Sequence, residues 1–245
     1  MSNILKKILV ITNIVMISLV LIIDFLCCFV FEGMVTQYIT AFMACGLSIF
    51  NFVFCMIYRK KEYIAFNILI FIGVIFCSFA DFLLGLEFVA GALLFGVGHI
   101  LYIIAMFLIS KFKWIDLLFM CAIIGVSLVV VFVPSVDYEG FLPLIVGYAV
   151  ILSIMCAKCL SNYFLNDKKN LLNIVIMIAG VLFYLSDLML LLYFFKNASI
   201  LAFKWCIMLY YPSIAIFAVA LLLNAIIKDN EKNKKTVTIN QIQNN

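Results

Sequence analysis

Three aspartates, Asp24, Asp81 and Asp187, stand inside long apolar runs of a chain that holds a single histidine. A carboxyl group in the middle of a helix surrounded by lipid costs about 2.5–3.5 kcal/mol. Such a residue is expected to face a polar interior and to work there. At helical spacing Asp81 shares a face with Cys77, Ser78 and Asn67, and Asp187 shares one with Tyr184, Gly180 and Asn173. Each carboxyl therefore ends a polar stripe that lipid would not tolerate. Asp24 has only Ser18 and Asn13 along its segment, so a hydrogen-bonded packing role suits it as well as a functional one.

His99 is followed one turn later by Tyr102 and flanked by Gly91, Gly96 and Gly98, residues that let helices approach closely. Beside a helix bearing Asp81 it is a candidate for catalysis, with Tyr102 as a candidate for substrate binding. Ser186 adjoins Asp187, and Tyr210 of the run Tyr210-Tyr211-Pro212 offers a hydroxyl to the same interior. Asn67, Asn173 and Tyr184 complete the set of candidate substrate-binding residues. The chemistry these types suggest is acid–base work, in which a carboxylic acid gives a proton and a carboxylate takes one. Two close aspartates would share a proton. One histidine is too few for a zinc site of the usual kind, so neither a metal nor a cofactor is expected. Cys156 and Cys159 form a CxxC, but no second pair accompanies it, and the nine scattered cysteines read as buried free thiols.

The elements that must position these groups follow from composition. The 245 residues are 68% hydrophobic and 11% charged, with a mean hydropathy of +1.30. The apolar runs come in blocks of about 20 residues, the length that crosses a bilayer as a helix. Short alternating segments of the kind a membrane barrel needs are missing. The fold class is thus all-α: a polytopic membrane protein of eight helices over 8–31, 38–58, 63–84, 88–110, 114–133, 140–160, 171–195 and 203–227. Residues 1–227 form the membrane domain and 228–245 a polar, disordered tail. Fourteen Lys and Arg fall on one side of these spans and two, Lys196 and Lys204, on the other. That asymmetry predicts cytoplasmic N and C termini and places both aspartates toward the outer leaflet. It also explains the net charge of +4 without a nucleic-acid partner. Membrane lipids are the expected surroundings, and a bacterial cell membrane the expected location.

An internal duplication is visible at an offset of 106, which aligns Asn67 with Asn173 and Asp81 with Asp187, together with several isoleucines. It predicts a parallel 4+4 repeat whose axis lies along the membrane normal, with the aspartates facing each other across it.

Three stretches, Phe76-Cys-Ser-Phe-Ala-Asp81, the run from Gly91 through His99 to Tyr102, and Gly180-Val-Leu-Phe-Tyr-Leu-Ser-Asp187, resemble the YhhN family. That family comprises eight-helix membrane proteins that include lysoplasmalogenases. The chain departs from the family pattern at Ala80, where Gly is common, and at Ser213 and Ile214, where a Gln often follows the Tyr-Tyr pair. It also lacks a Lys-Pro before the second helix. The resemblance implies an ether-lipid or lysophospholipid substrate, hydrolysed at the vinyl-ether bond of a lysoplasmalogen. A proton-coupled transporter, or a lipid-binding member without catalysis, are the alternatives that intramembrane carboxylates also fit.

Overall fold

The computed structural model describes residues 2–30, 34–57, 64–132, 138, 140–165, 170–196 and 198–243, with 3, 34–38 and 231–243 described by backbone alone. Its elements are α1 (Asn3–Phe29), α2 (Met34–Ile57), α3 (Ile64–Leu84), α4 (Phe88–Ile109), α5 (Trp114–Phe132), α6 (Leu142–Phe164), α7 (Leu171–Phe195) and α8 (Ile200–Gln243). All eight are long and apolar enough to cross a membrane, and the described residues contain no strand. The protein is an integral membrane protein of the expected class. Large apolar side chains such as Phe42 and Trp114 face outward, where lipid would cover them.

Helix ends differ from the sequence reading where capping or composition decides. α1 starts at Asn3, before its lysines, because Ser2 accepts a hydrogen bond from the Leu5 amide. α8 does not stop at 227. The polar stretch read as a disordered tail continues the helical backbone to Gln243, since residues 228–243 contain neither Gly nor Pro to end it. Lys6 pairs with Asp229 across 3.0 Å, so the start of α1 and the polar part of α8, toward the N and C termini, lie at the same end of the bundle. Arg59, Lys60, Lys61, Lys168 and Lys169, which enter the charge count, lie outside the described residues.

Five helices close a ring: α3 packs on α4, α4 on α6, α6 on α7, α7 on α8, and α8 back on α3. α5 packs outside on α6, while α1 and α2 pack on α8. In consequence the span of α8 is 78% buried against 22% for α1 and α5, which makes α8 the post of the bundle. Aromatic rings fill the interior of the ring, among them Tyr102 stacked on Phe217 at 4.4 Å and Phe183 edge-on to Tyr210 at 5.3 Å.

At the end holding the termini, asparagines tie helices together. Asn13 and Asn51 bond each other, Asn51 donates to the Ala218 carbonyl, and Asn224 donates to Asn67. Interhelical amide bonds of this kind replace the hydrophobic drive that lipid removes. At the opposite end α3 turns sharply into α4. The Leu83 carbonyl accepts from Leu86 and Glu87, and the Glu87 carboxylate caps α4 by accepting from Val89 and Ala90. Gly91 makes the hairpin tight, for a Cβ there would stand 2.6 Å from the Leu84 Cα. Gly140, at φ +85°, makes the turn into α6. These two turns set the aspartate-bearing end of the bundle.

Candidate functional site

Asp187, on α7, points between α4 and α6. Its Oδ2 accepts a 2.5 Å hydrogen bond from the Tyr148 hydroxyl, and His99 Nε2 lies 3.6 Å from the same oxygen. His99 Nε2 is also 2.9 Å from the Tyr148 hydroxyl. Because Tyr148 has one proton and directs it at Asp187, the imidazole must supply the proton of the His99–Tyr148 bond. The result is a chain from His99 Nε2 through Tyr148 to Asp187 that crosses three helices. His99 is fully buried, with Phe183 edge-on to its ring at 4.6 Å, and its Nδ1 has no hydrogen-bond partner.

Asp81, in the last turn of α3, takes a different tyrosine. Its Oδ2 accepts a 2.6 Å bond from Tyr211 of α8, while the neighbouring Tyr210 donates to the Cys77 carbonyl one turn back on α3. Each carboxyl is thus hydrogen-bonded by a tyrosine of another helix. Both line one cavity of about 160 Å³, with Tyr210, Tyr211, Ser186 and Cys206 as its other polar or sulfur-bearing walls. Ser186 spends its hydroxyl on the Cys206 carbonyl and so ties α7 to α8. A second space of about 70 Å³ reaches Asp187 from the α4–α6 side and contains Tyr148.

The structure therefore brings together Asp81, Asp187, Ser186 and Tyr210, with His99 directly behind Asp187. It does not bring in the other candidates. Tyr102 lies deeper, fully buried, with its ring over the Gly73 backbone. Tyr184 turns to α5, where its hydroxyl meets Ser127, which in turn meets Ser153. Three residues along a helix is 300°, and the remaining 60° is enough to aim Tyr184 out of the ring. Asn67 is held by α8 near the termini, and Asn173 sits in the first turn of α7, its amide capped by Asn170. Fourteen residues of helix span about 21 Å, so a polar stripe of that length joins two separate places.

The 4+4 repeat is not confirmed. Shifted by 106, Tyr148 corresponds to Phe42, which is 80% exposed, and Tyr211 corresponds to the buried Ala105. The partners of the two aspartates are thus unrelated. Tyr148 and Tyr211 are the residues that sequence reasoning missed. A tyrosine in a membrane helix carries no hydropathic penalty that would mark it out, and Tyr211 stood beside the chosen Tyr210.

Eight membrane-crossing helices with one buried and one half-buried carboxyl, the buried one beside a buried histidine, fit the family suggested by the sequence. The YhhN family matches the chain over residues 34–221, about three quarters of its length. This chain belongs to the YhhN family. Membership supports a lysoplasmalogenase-like protein. No curated protein and no solved structure matches it.

Outside the site, the described residues of this YhhN protein bury further charged groups, among them Lys158, Asp116 and Asp24. Lys158 of α6 is fully buried and paired with Asp116 of α5 at 2.7 Å, with the Phe107 ring 4.7 Å from its ammonium. Counted in the sequence as a topogenic charge, Lys158 is instead an internal strut. Asp24 of α1 is also fully buried, and neither of its oxygens has a hydrogen-bond partner. Among the described residues no three of His, Cys, Asp or Glu cluster closely enough to hold a metal ion.

Proposed function

We propose that this protein hydrolyses the vinyl-ether bond of lysoplasmalogen-type lysophospholipids by acid–base catalysis with Asp81 and Asp187. The observation that carries the reading is that both carboxyls line one cavity while each is held by its own tyrosine. Two acids in one cavity, each with its own hydrogen-bond donor, can hold different protonation states, which a two-step proton transfer requires.

In the proposed sequence Asp187 is the first acid. Tyr148 occupies its Oδ2, so the transferable proton sits on Oδ1. That proton goes to the chain-side carbon of the C=C bond and leaves an oxocarbenium ion at the carbon bearing oxygen. Water adds to this carbon while the Asp81 carboxylate accepts its proton, giving a hemiacetal. Asp81 then returns that proton to the ether oxygen and the C–O bond breaks. Asp187 takes the remaining hydroxyl proton as the aldehyde forms. One water is consumed, an aldehyde and a glycerophospho-alcohol leave, and both carboxyls return to their starting states. Tyr148 and His99 hold Asp187 in place throughout. General acid–base groups of this kind typically contribute roughly 10²–10⁴-fold in rate. The charge asymmetry of the sequence supports cytoplasmic termini, which gives the cavity to the outer leaflet.

Purified protein in nanodiscs, offered a lysoplasmalogen, should release fatty aldehyde, and Asp81→Asn or Asp187→Asn should abolish that release. Absence of aldehyde from the wild type, with proton-dependent uptake of a solute into proteoliposomes, would establish a carrier instead.

A further inference from the structure

The two spaces that meet at Asp187 differ in kind. The space between α3, α7 and α8 carries Asp81, Tyr210 and Tyr211. The space between α4, α6 and α7 is walled by aliphatic and aromatic side chains such as Ala92, Leu144, Ile145 and Leu191, and among the described residues only Tyr148 and Asp187 bring polar atoms to it. At the end of the bundle this second space is overhung by a cluster of rings. Phe88, the first residue of α4, lies 5.5 Å from Phe141 at the start of α6 and 5.6 Å from Phe195 at the end of α7. A space walled in this way offers a polar headgroup almost no hydrogen-bond partner and suits a hydrocarbon chain.

We propose that the α4–α6–α7 space is the binding site for the hydrocarbon chain of the substrate, with the glycerol portion in the Asp81 space and the cleaved bond beside Asp187. The assignment rests on the hydrolase reading above for the identity of the bond. It follows from where a vinyl ether sits in its molecule, between an apolar chain and a polar glycerol. Among the described residues, Asp187 is the one ionisable residue shared by both spaces. A volume of about 70 Å³ takes the first few carbons of the chain. The remaining carbons run on along the outer, lipid-facing surfaces of these helices. Asp81 and Tyr211 lie on the other side, where the hydroxyl of a lysolipid's glycerol finds hydrogen-bond acceptors in the Asp81 carboxylate and the Tyr211 hydroxyl oxygen.

The test uses non-cleavable, saturated alkyl-ether lysophospholipids with a photoactivatable diazirine, placed either on the third chain carbon or on the glycerol side. Each is crosslinked to the full-length protein in nanodiscs and the labelled residues are read by mass spectrometry. The chain probe should label α6 and α7 around Leu144, Ile145 and Leu191, and the glycerol probe should label α3 or α8 around Asp81 and Tyr211. Ala92→Trp, which fills the apolar space, should cut the chain-probe labelling at least tenfold. It should leave the thermal midpoint of the protein within a few degrees of wild type. Should that variant fail to fold, Leu144→Trp fills the same space from the opposite wall and reads the same loss. Chain-probe labels on Phe203 or Ile207, or only on lipid-facing residues, would overturn the assignment even if aldehyde is released. Labels in the expected places without aldehyde release from a lysoplasmalogen would leave the chain site standing and overturn the hydrolase reading alone.

Discussion

Tyr148 of α6 directs its only proton to Asp187 of α7, and His99 of α4 supports that hydroxyl from behind. The aspartate is thereby fixed from two helices other than its own. Tyr148→Phe keeps the ring and removes the donor. It should lower aldehyde release about ten- to a hundredfold, while the thermal midpoint falls only modestly, because one buried hydrogen bond is worth about 1 kcal/mol net. His99 acts on Asp187 through Tyr148, so the double variant Tyr148→Phe/His99→Asn should be hardly slower than Tyr148→Phe. Rates that multiply would show that His99 acts on substrate by its own route.

The adjacent tyrosines of α8 make a second, sharper comparison. Tyr211 bonds the Asp81 carboxylate, whereas Tyr210 bonds a backbone carbonyl of α3. Tyr211→Phe and Tyr210→Phe each remove one α3–α8 hydrogen bond and should each cost about 1 kcal/mol of stability. Only Tyr211→Phe should also lower kcat, with Tyr210→Phe keeping nearly wild-type turnover. Steady-state kinetics beside thermal unfolding in the same detergent separates the two. Equal effects on turnover would mean that Tyr210 also reaches the reacting atoms.

How much of this was legible in the sequence depends on what a residue costs in lipid. Asp81, Asp187 and His99 announced themselves because a charged or polar group in an apolar run needs a reason, and the structure sets His99 beside Asp187 and Asp81 on the same cavity. Eight spans were legible for the same reason, from the length of the apolar runs. Tyr148 and Tyr211 were not, since an aromatic ring suits lipid, interior and active site alike. The asparagines misled in the opposite direction. Asn67 and Asn173 are costly, as read, but Asn67 serves helix association at the other end of the bundle, some four turns of helix from the carboxyls. Periodicity gives the face of a helix and says nothing of which neighbour that face meets at each depth. Lys158 failed on the same ground. Near a helix end it counted as a topogenic charge, and only the packing of α5 on α6 reveals its partner.

That buried pair carries its own expectation. Lys158 and Asp116 are almost wholly removed from solvent, and Asp116 additionally accepts from the Lys113 amide in the turn before α5. Removing one partner leaves the other charge buried and uncompensated, a loss of about 3–5 kcal/mol. Lys158→Met or Asp116→Leu should each unfold the protein well below the wild-type temperature. The double replacement should recover most of that loss, as apolar side chains need no partner. Failure of the double variant to recover would show that the turn before α5 depends on the Asp116 carboxylate more than on the ion pair.

Gly91 tests whether the α3–α4 hairpin positions Asp81. A Cβ at this position meets backbone atoms, the Leu84 amide nitrogen and Cα, at 2.7 and 2.6 Å, and backbone cannot rotate out of the way as a side chain can. Relief requires the two helices to separate by several tenths of an ångström at the end where Asp81 meets Tyr211. Gly91→Ala should therefore destabilise the protein by roughly 1–3 kcal/mol, the usual cost of forcing a methyl group into a packed interior. Its effect on catalysis should exceed that on stability, because a catalytic group displaced by about 1 Å can lose roughly a hundredfold in rate. Gly96 is the matched control on the same helix. A Cβ there meets nothing within 4 Å, so Gly96→Ala should unfold at or slightly above the wild-type temperature, by virtue of better helix propensity. A Gly91→Ala protein with normal turnover would show that Asp81 is set by its bond to Tyr211 and not by the hairpin.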